Sequence, residues 1–219
     1  MGWSGAVQGY RRFVPGPTHV ARDAVAEAVA RIPTGARIVD LGAGGRRITP
    51  DTFTVDSDAS TNPDLLADLT KLPLPDASFD FVFCTGTLEH VVDHVAAARE
   101  LVRILKPGAL AFIDVPFLQP RHADVHDYRR WTLGGLRQFC REMGLEEVDA
   151  GAHLGPGSTL SWVVSEYVRV LFGYGAIANV ATFAARILLR PLLWIDRWMV
   201  GRTGADKIAS GVFVLARKP

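Results

Sequence analysis

Residues 37–58 read RIVDLGAGGRRITPDTFTVDSD. An apolar pair, Ile38 and Val39, runs into Asp40, and a turn follows at once through Gly42, Ala43, Gly44 and Gly45. Glycine admits backbone conformations closed to other residues and lets the main chain approach a ligand closely. A second short apolar run then ends in Asp56. An acid at the tip of the strand after such a turn can accept both hydroxyl hydrogens of a ribose. The stretch therefore predicts a nucleoside-binding crevice at the carboxyl ends of parallel strands.

Outward from this stretch, strands are expected at about 37–41, 52–56, 64–67, 79–84, 109–115, 145–151 and 211–218. The run FDFVFC at 79–84 is apolar almost throughout, as in a strand buried on both faces. Between strands fall helical patterns at about 17–31, 92–105 and 132–143, the last with Thr132 as N-cap and the second stopped by Pro107-Gly108. Strands alternating with helices predict an α/β fold with a doubly wound sheet. One connection departs from that plan. Too few residues separate Gly45 from the second strand for a crossover helix, and Pro50 lies among them. The first crossover helix is expected to be trimmed or absent.

The chain has 219 residues, enough for a single domain, 1–219, with one elaboration. A net charge of +1 and a pI near 7.9 provide no electrostatic footprint for nucleic acid. Two cysteines, Cys84 and Cys140, are too few for a disulfide framework and suit a reduced, cytoplasmic protein. The first residues lack the apolar core of a secretory signal. Hydrophobic residues make up 48% and mean hydropathy is +0.15, and much of that excess lies in one place. Residues 156–205 sit between the sixth and seventh strands, where a hairpin turn would suffice. They form two or three strongly amphipathic helical stretches, with Pro191 expected to break the run before a short helix at LLWIDRWM. Their longest uncharged stretch is too short and too rich in glycine for a bilayer span. A lid over an apolar acceptor, a membrane-surface element and a homodimer interface remain competing roles for this insert, beside plain packing on the core.

Further motifs follow the glycine turn in order: Ala67-Asp68-Leu69, Ser78-Phe79-Asp80, Leu88-Glu89-His90-Val91 and Leu105-Lys106-Pro107-Gly108. Together they resemble the class I S-adenosylmethionine-dependent methyltransferases, of the methyltransferase type 11-like kind, over roughly residues 35–150. The resemblance implies a seven-stranded Rossmann-like sheet with an antiparallel last strand beside the fifth. It also implies S-adenosyl-L-methionine as cofactor, held by Asp40, Gly42, Ala43, Gly44, Asp56, Ser57, Asp68, Leu69, Thr85 and Glu89. Asp56 would take the ribose and Asp68 the adenine amino group. The third glycine of the usual motif falls at Arg46, which leaves Arg46 or Arg47 to substitute for a helix terminus near the methionine carboxylate.

Methyl transfer is a displacement at a carbon already activated by sulfonium charge, so alignment is the main requirement. A general base is needed only when the acceptor arrives protonated. The segment after the fifth strand holds His122, His126, Asp127, Tyr128, Arg129 and Trp131. His126 is the first choice for a base because imidazole titrates near neutrality. Tyr128 is the second, and His90 is expected to line the cofactor crevice. The competing reading is structural: His126 and Asp127 pin the loop, Tyr128 and Trp131 pack beneath it, and His90 caps or packs. His90/His94 and His122/His126 share i, i+4 spacing without a third ligand in step, so no metal is expected. The activity implied is methyl transfer to a small or lipid-like organic acceptor. Membrane-linked glycan or lipid precursors are the alternative acceptors, and a non-catalytic cofactor-binding interaction protein is the alternative from another class.

Overall fold

The computed structural model describes residues 20–122 and 126–219. The start of the expected first helix lies outside the described residues. Two compact units are formed. The larger holds residues 23–117, 121–151 and 211–219, and the smaller, among described residues, holds 20–22, 118–120 and 152–210.

In the larger unit, β1 (Ile38–Leu41), β2 (Phe53–Asp56), β3 (Leu65–Leu66), β4 (Phe79–Thr85), β5 (Leu105–Pro116) and β7 (Gly211–Arg217) join one seven-stranded sheet with β6 (Glu146–Leu154). The strand order is β3-β2-β1-β4-β5-β7-β6. β2, β1, β4 and β5 run parallel through their successive pairings, and β7 lies antiparallel beside β5, with Phe112 opposite Leu215. This is the Rossmann-like sheet expected from the sequence. Order reverses between β1 and β4, the switch point beyond whose strand ends ligands bind in open α/β sheets.

Among the described residues, three α-helices accompany the sheet: α1 (Ala24–Val29), α2 (His94–Ile104) and α3 (Leu133–Glu142). The Asp23 carboxylate caps α1, the Asp93 carboxylate caps α2, and Thr132 caps α3 as its sequence position predicted. No helix separates β1 from β2, so the trimmed crossover is real; turns and bends fill the gap. α2 ends at Ile104 and the chain enters β5 directly at Leu105, earlier than the apolar pattern suggested. The core stacks Phe81, Phe83, Phe112 and Phe213 from three adjacent strands against Ala24 and Ala28 of α1. Cys84 and Cys140 are both buried, and burial raises both thiols, that of Cys140 to about 12, so neither is a nucleophile.

The smaller unit is built on α4 (Pro156–Phe172) and α5 (Ala176–Met199), a helical hairpin turning through residues 173–175. Pro191 does not break α5, contrary to the expectation from its sequence. Proline removes the hydrogen bond to the carbonyl four residues earlier. Here both Pro191 and Ile187 lie on the exposed side of the helix, where solvent can satisfy that carbonyl. The helices approach closely at Gly155-Pro156-Gly157-Ser158. A Cβ on Gly157 would stand 2.5 Å from the Leu192 carbonyl oxygen, and one on Gly155 2.5 Å from the Asp196 carboxylate. Into this space Asp196, fully buried, accepts from the amides of Gly157 (2.6 Å) and Ser158 (2.8 Å) and from the Ser158 hydroxyl. An acid from α5 thus caps the amino terminus of α4.

Candidate active site

The glycine turn leaves β1 through Gly42, whose φ of +75° lies in the left-handed region. A Cβ there would also collide with the Thr87 side chain, so geometry and space both demand glycine. The Thr87 hydroxyl donates to the Leu41 carbonyl at 3.1 Å, tying the segment after β4 to the end of β1. Beyond the turn, the Gly44 amide donates to Asp56 Oδ2 at 2.7 Å, and the Asp58 amide donates to Oδ1 at 2.9 Å. Both Asp56 oxygens are thereby oriented and keep lone pairs for further donors. Asp68 is set in the same way. Its Oδ1 accepts from the amide and hydroxyl of Thr70, which hold its carboxyl below the usual range.

These groups line a cleft of about 680 Å³, within the usual range for a small-molecule site. Of the residues expected to bind cofactor, Gly42, Gly44, Asp56, Ser57, Asp68 and Leu69 line it, together with Gly86, Thr87, His90 and His126. Asp40, Ala43, Thr85 and Glu89 are buried behind its wall. Asp40 is fully buried; burial raises its carboxyl, and Arg46 partly offsets the rise. Asp40 Oδ2 accepts from Arg46 Nε at 3.2 Å, while Oδ1 has no hydrogen-bond partner. Arg46 also donates to the carbonyl and hydroxyl of Thr85. Arg47 instead donates to Asp64 at 2.9 and 3.0 Å and belongs to the β2–β3 edge. Of the two arginines, Arg46 is therefore the one beside the glycine turn.

The donor set fits S-adenosylmethionine. Asp56 and Asp68 present oriented carboxylates to the cleft, acceptors of the kind a ribose and an exocyclic amine need, and Arg46 stands beside the glycine turn as a half-exposed cation paired with the buried Asp40.

On the acceptor side, the loop after β5 is pinned to the turn after β4. Arg129 donates to the carbonyls of Val91 (2.6 Å) and Val92 (2.7 Å), and the Tyr128 amide donates to the Glu89 carbonyl at 2.8 Å. Asp127 is bound by the Arg130 guanidinium and the His122 amide, which lower its carboxyl to about 2. His126 is exposed at the cleft. Its Nδ1 shares a hydrogen bond with the Tyr128 hydroxyl at 2.8 Å, and the two rings stack. Tyr128 reaches the cleft only through His126. His90 lines the cleft, with Nδ1 bonded to the His126 carbonyl. Trp131 is buried, and its amide donates to the Pro116 carbonyl. Glu89 is 1% exposed, and burial pushes its carboxyl up to about 8. Sequence reasoning missed Thr87 and the pairing of His122 with His90; no periodicity or spacing connects those positions.

Residues 40–113 match a family model described as a methyltransferase domain. A demethylmenaquinone methyltransferase of Mycobacterium sp. (strain KMS) is 34% identical over 129 residues, covering 52% of this chain and 56% of that protein. A ubiquinone biosynthesis O-methyltransferase of Cupriavidus pinatubonensis is 24% identical over 142 residues, 57% of each. The chain thus spans a little over half the length of these relatives. Among solved structures, an S-adenosylmethionine-dependent methyltransferase of Thermotoga maritima aligns over 98% of this chain and 94% of its own, with a TM-score of 0.56 and 15% identity. A Haemonchus contortus phosphoethanolamine N-methyltransferase, solved with S-adenosylmethionine, aligns over 90% of this chain and 51% of its own, with a TM-score of 0.57 and 17% identity. With its glycine turn and strand order, the core of this chain resembles the methyltransferase domain of the class I S-adenosylmethionine-dependent enzymes, and residues 40–113 carry the match.

Proposed function

We propose that this chain transfers a methyl group from S-adenosylmethionine to a small or lipid-like organic acceptor. The observation that carries the reading is the cleft itself, where oriented acids at Asp56 and Asp68 share one cavity with His90 and His126. When bound, the cofactor supplies a methyl group activated by sulfonium charge. Asp56 holds the ribose hydroxyls and Asp68 the adenine amino group. Arg46, held from behind the wall by Asp40, takes the carboxylate of the methionine end, with Ala43, Leu69 and Thr85 shaping the walls. On the acceptor side, in the tautomer whose Nδ1–H donates to the Tyr128 hydroxyl oxygen, His126 Nε2 is a lone pair able to take the proton of an acceptor hydroxyl. The quinone-pathway names of the relatives support an acceptor with an apolar body and a reactive hydroxyl. The test is transfer of labelled methyl to a panel of prenylated hydroquinols and simple phenols. Cofactor binding without transfer to any acceptor would favour the non-catalytic reading.

One observation favours a membrane-linked acceptor and a place at the cytoplasmic membrane surface. The α4–α5 hairpin has inverted polarity: Ser161, Ser165, Thr182, Arg186 and Asp196 are buried, with Arg186 Nε donating to the Ser165 hydroxyl. Its outer face exposes Val170, Phe172, Ile177, Val180, Leu188 and Trp194. Large exposed apolar surfaces mark interaction sites, and Trp beside Arg, as where Arg202 covers the Trp198 ring, suits the headgroup boundary. At 24 residues, α5 is long and apolar enough to cross a bilayer, at about 36 Å against a hydrocarbon core of about 30 Å. Flotation of the full chain with phosphatidylcholine/phosphatidylglycerol vesicles should recover it in the lipid fraction, and Leu188→Glu with Val180→Glu should release it. A chain that stays in the aqueous fraction and sediments as a dimer would assign this face to self-association instead.

A further inference from the structure

We propose that Glu89, His90 and His122 form a binding site for a divalent transition-metal ion at the acceptor end of the cleft. The ligand atoms these three residues offer lie within 4.8 Å of one another. Glu89 Oε1 stands 3.6 Å from His90 Nε2 and 3.9 Å from His122 Nε2. An ion with nitrogen and oxygen ligands at about 2.0–2.2 Å in tetrahedral array holds them roughly 3.3 Å apart, so closure needs only small side-chain adjustments.

Two features point to a cation rather than to chance proximity. The first is Glu89, whose side chain is almost wholly buried while its second oxygen, Oε2, has no hydrogen-bond partner. A buried carboxylate without a partner is costly and is relieved either by a proton or by a compensating cation. Asp114 and Asp127 add negative charge nearby, Arg130 is the opposing cation, and Arg130 is already engaged by Asp127.

The second is the tautomer of His90. A carbonyl only accepts, so the bond between His90 Nδ1 and the His126 carbonyl places the hydrogen on Nδ1. In the neutral ring, Nε2 is then a lone pair, and it faces the Glu89 carboxylate. Two lone pairs meeting this way require a proton or a metal between them. An N–H to backbone carbonyl bond on the far nitrogen is the usual means by which a ligating histidine is oriented.

His122 brings its Nε2 to the same Glu89 oxygen. Its Nδ1 accepts from Arg130 Nη2 at 3.4 Å, which in the neutral ring puts the hydrogen on Nε2, so binding an ion there displaces that hydrogen.

Two imidazoles and one carboxylate suit zinc, iron(II), cobalt or manganese and leave coordination positions open. His90 lines the cleft, so an open position there could receive an acceptor hydroxyl and favour its ionised form. That role rests on the methyl-transfer reading; the binding of the ion does not.

The test uses tag-free full-length chain, stripped with chelator and titrated with cobalt(II) alone. Saturable binding of one equivalent is expected, with visible absorption of a four- or five-coordinate ion. Glu89→Gln and His122→Ala should each weaken binding at least about tenfold, as loss of one ligand does. Both variants should keep the wild-type circular-dichroism spectrum and a cooperative thermal unfolding transition, which report the fold. His94→Ala, which alters a histidine outside the trio, should leave cobalt binding unchanged. Absence of saturable binding would overturn the site and leave the trio as a proton-sharing cluster. Binding that survives both variants would place the ion elsewhere and equally refute the assignment.

Discussion

Replacing Asp56 by Ala tests the cofactor assignment most directly. Each Asp56 oxygen accepts one backbone hydrogen bond, from Gly44 at 2.7 Å and from Asp58 at 2.9 Å. Each keeps capacity for one ribose hydroxyl. A hydrogen bond to a charged group contributes about 1.5–3 kcal/mol net. Two such bonds, partly replaced by water in the variant, amount to about 3 kcal/mol, or roughly a hundredfold in affinity. Asp56→Asn keeps one acceptor and loses the charge, and should fall between, at roughly tenfold. The ribose is common to S-adenosylmethionine, S-adenosylhomocysteine and adenosine, so calorimetry should show all three weakened by a similar factor. Thermal unfolding without ligand should change little, since the freed amides lie at an exposed turn. Unchanged affinity in a folded Asp56→Ala protein would refute the assignment. A loss for S-adenosylmethionine with none for adenosine would place the acid at the methionine end instead.

Gly42→Val should impair both the fold and cofactor binding, because its Cβ would collide with the Thr87 side chain and its φ of +75° is unfavourable for a branched side chain; a melting temperature equal to wild type would contradict this. Asp196→Ala leaves two buried amides without their acceptor and should destabilise the α4–α5 hairpin by on the order of 3 kcal/mol, read as faster proteolysis within 156–199. Asp64 is held at about 2 against an ordinary 3.8 by the Arg47 guanidinium and the Thr54 amide. A depressed carboxyl stabilises above its unfolded pKa and loses that contribution as pH falls through the folded one. Asp64→Asn should therefore be less stable than wild type at neutral pH, and chemical denaturation should show the gap closing between about pH 4 and 2; a constant gap would rule out the linkage.

Much of this protein is legible in its sequence because the signals are local. Period and punctuation mark the strands, Thr132 marks the start of α3, and the shortage of residues between Gly45 and Phe53 excludes a crossover helix. That Asp56 and Asp68 would line one cleft could be expected because Asp56 closes β2 and Asp68 comes two residues after β3, and a strand end fixes where the residues around it stand. The remaining features depend on contacts between segments far apart in the chain. Sequence spacing pairs His90 with His94 and His122 with His126. In the structure, Arg129 and the Tyr128 amide pin the loop after β5 to the turn after β4, and His90 meets His122 and Glu89 instead. Arg46 and Arg47 are adjacent and chemically alike, yet one pairs with Asp40 and the other with Asp64, a choice made by which acid the fold brings to each. Pro191 reads locally as a helix break, but α5 continues through it because its unpaired carbonyl falls on the exposed side. Local sequence determines which backbone conformations and strand ends exist. Only tertiary packing decides which side chains meet, because that depends on the register and approach of segments that sequence distance does not encode.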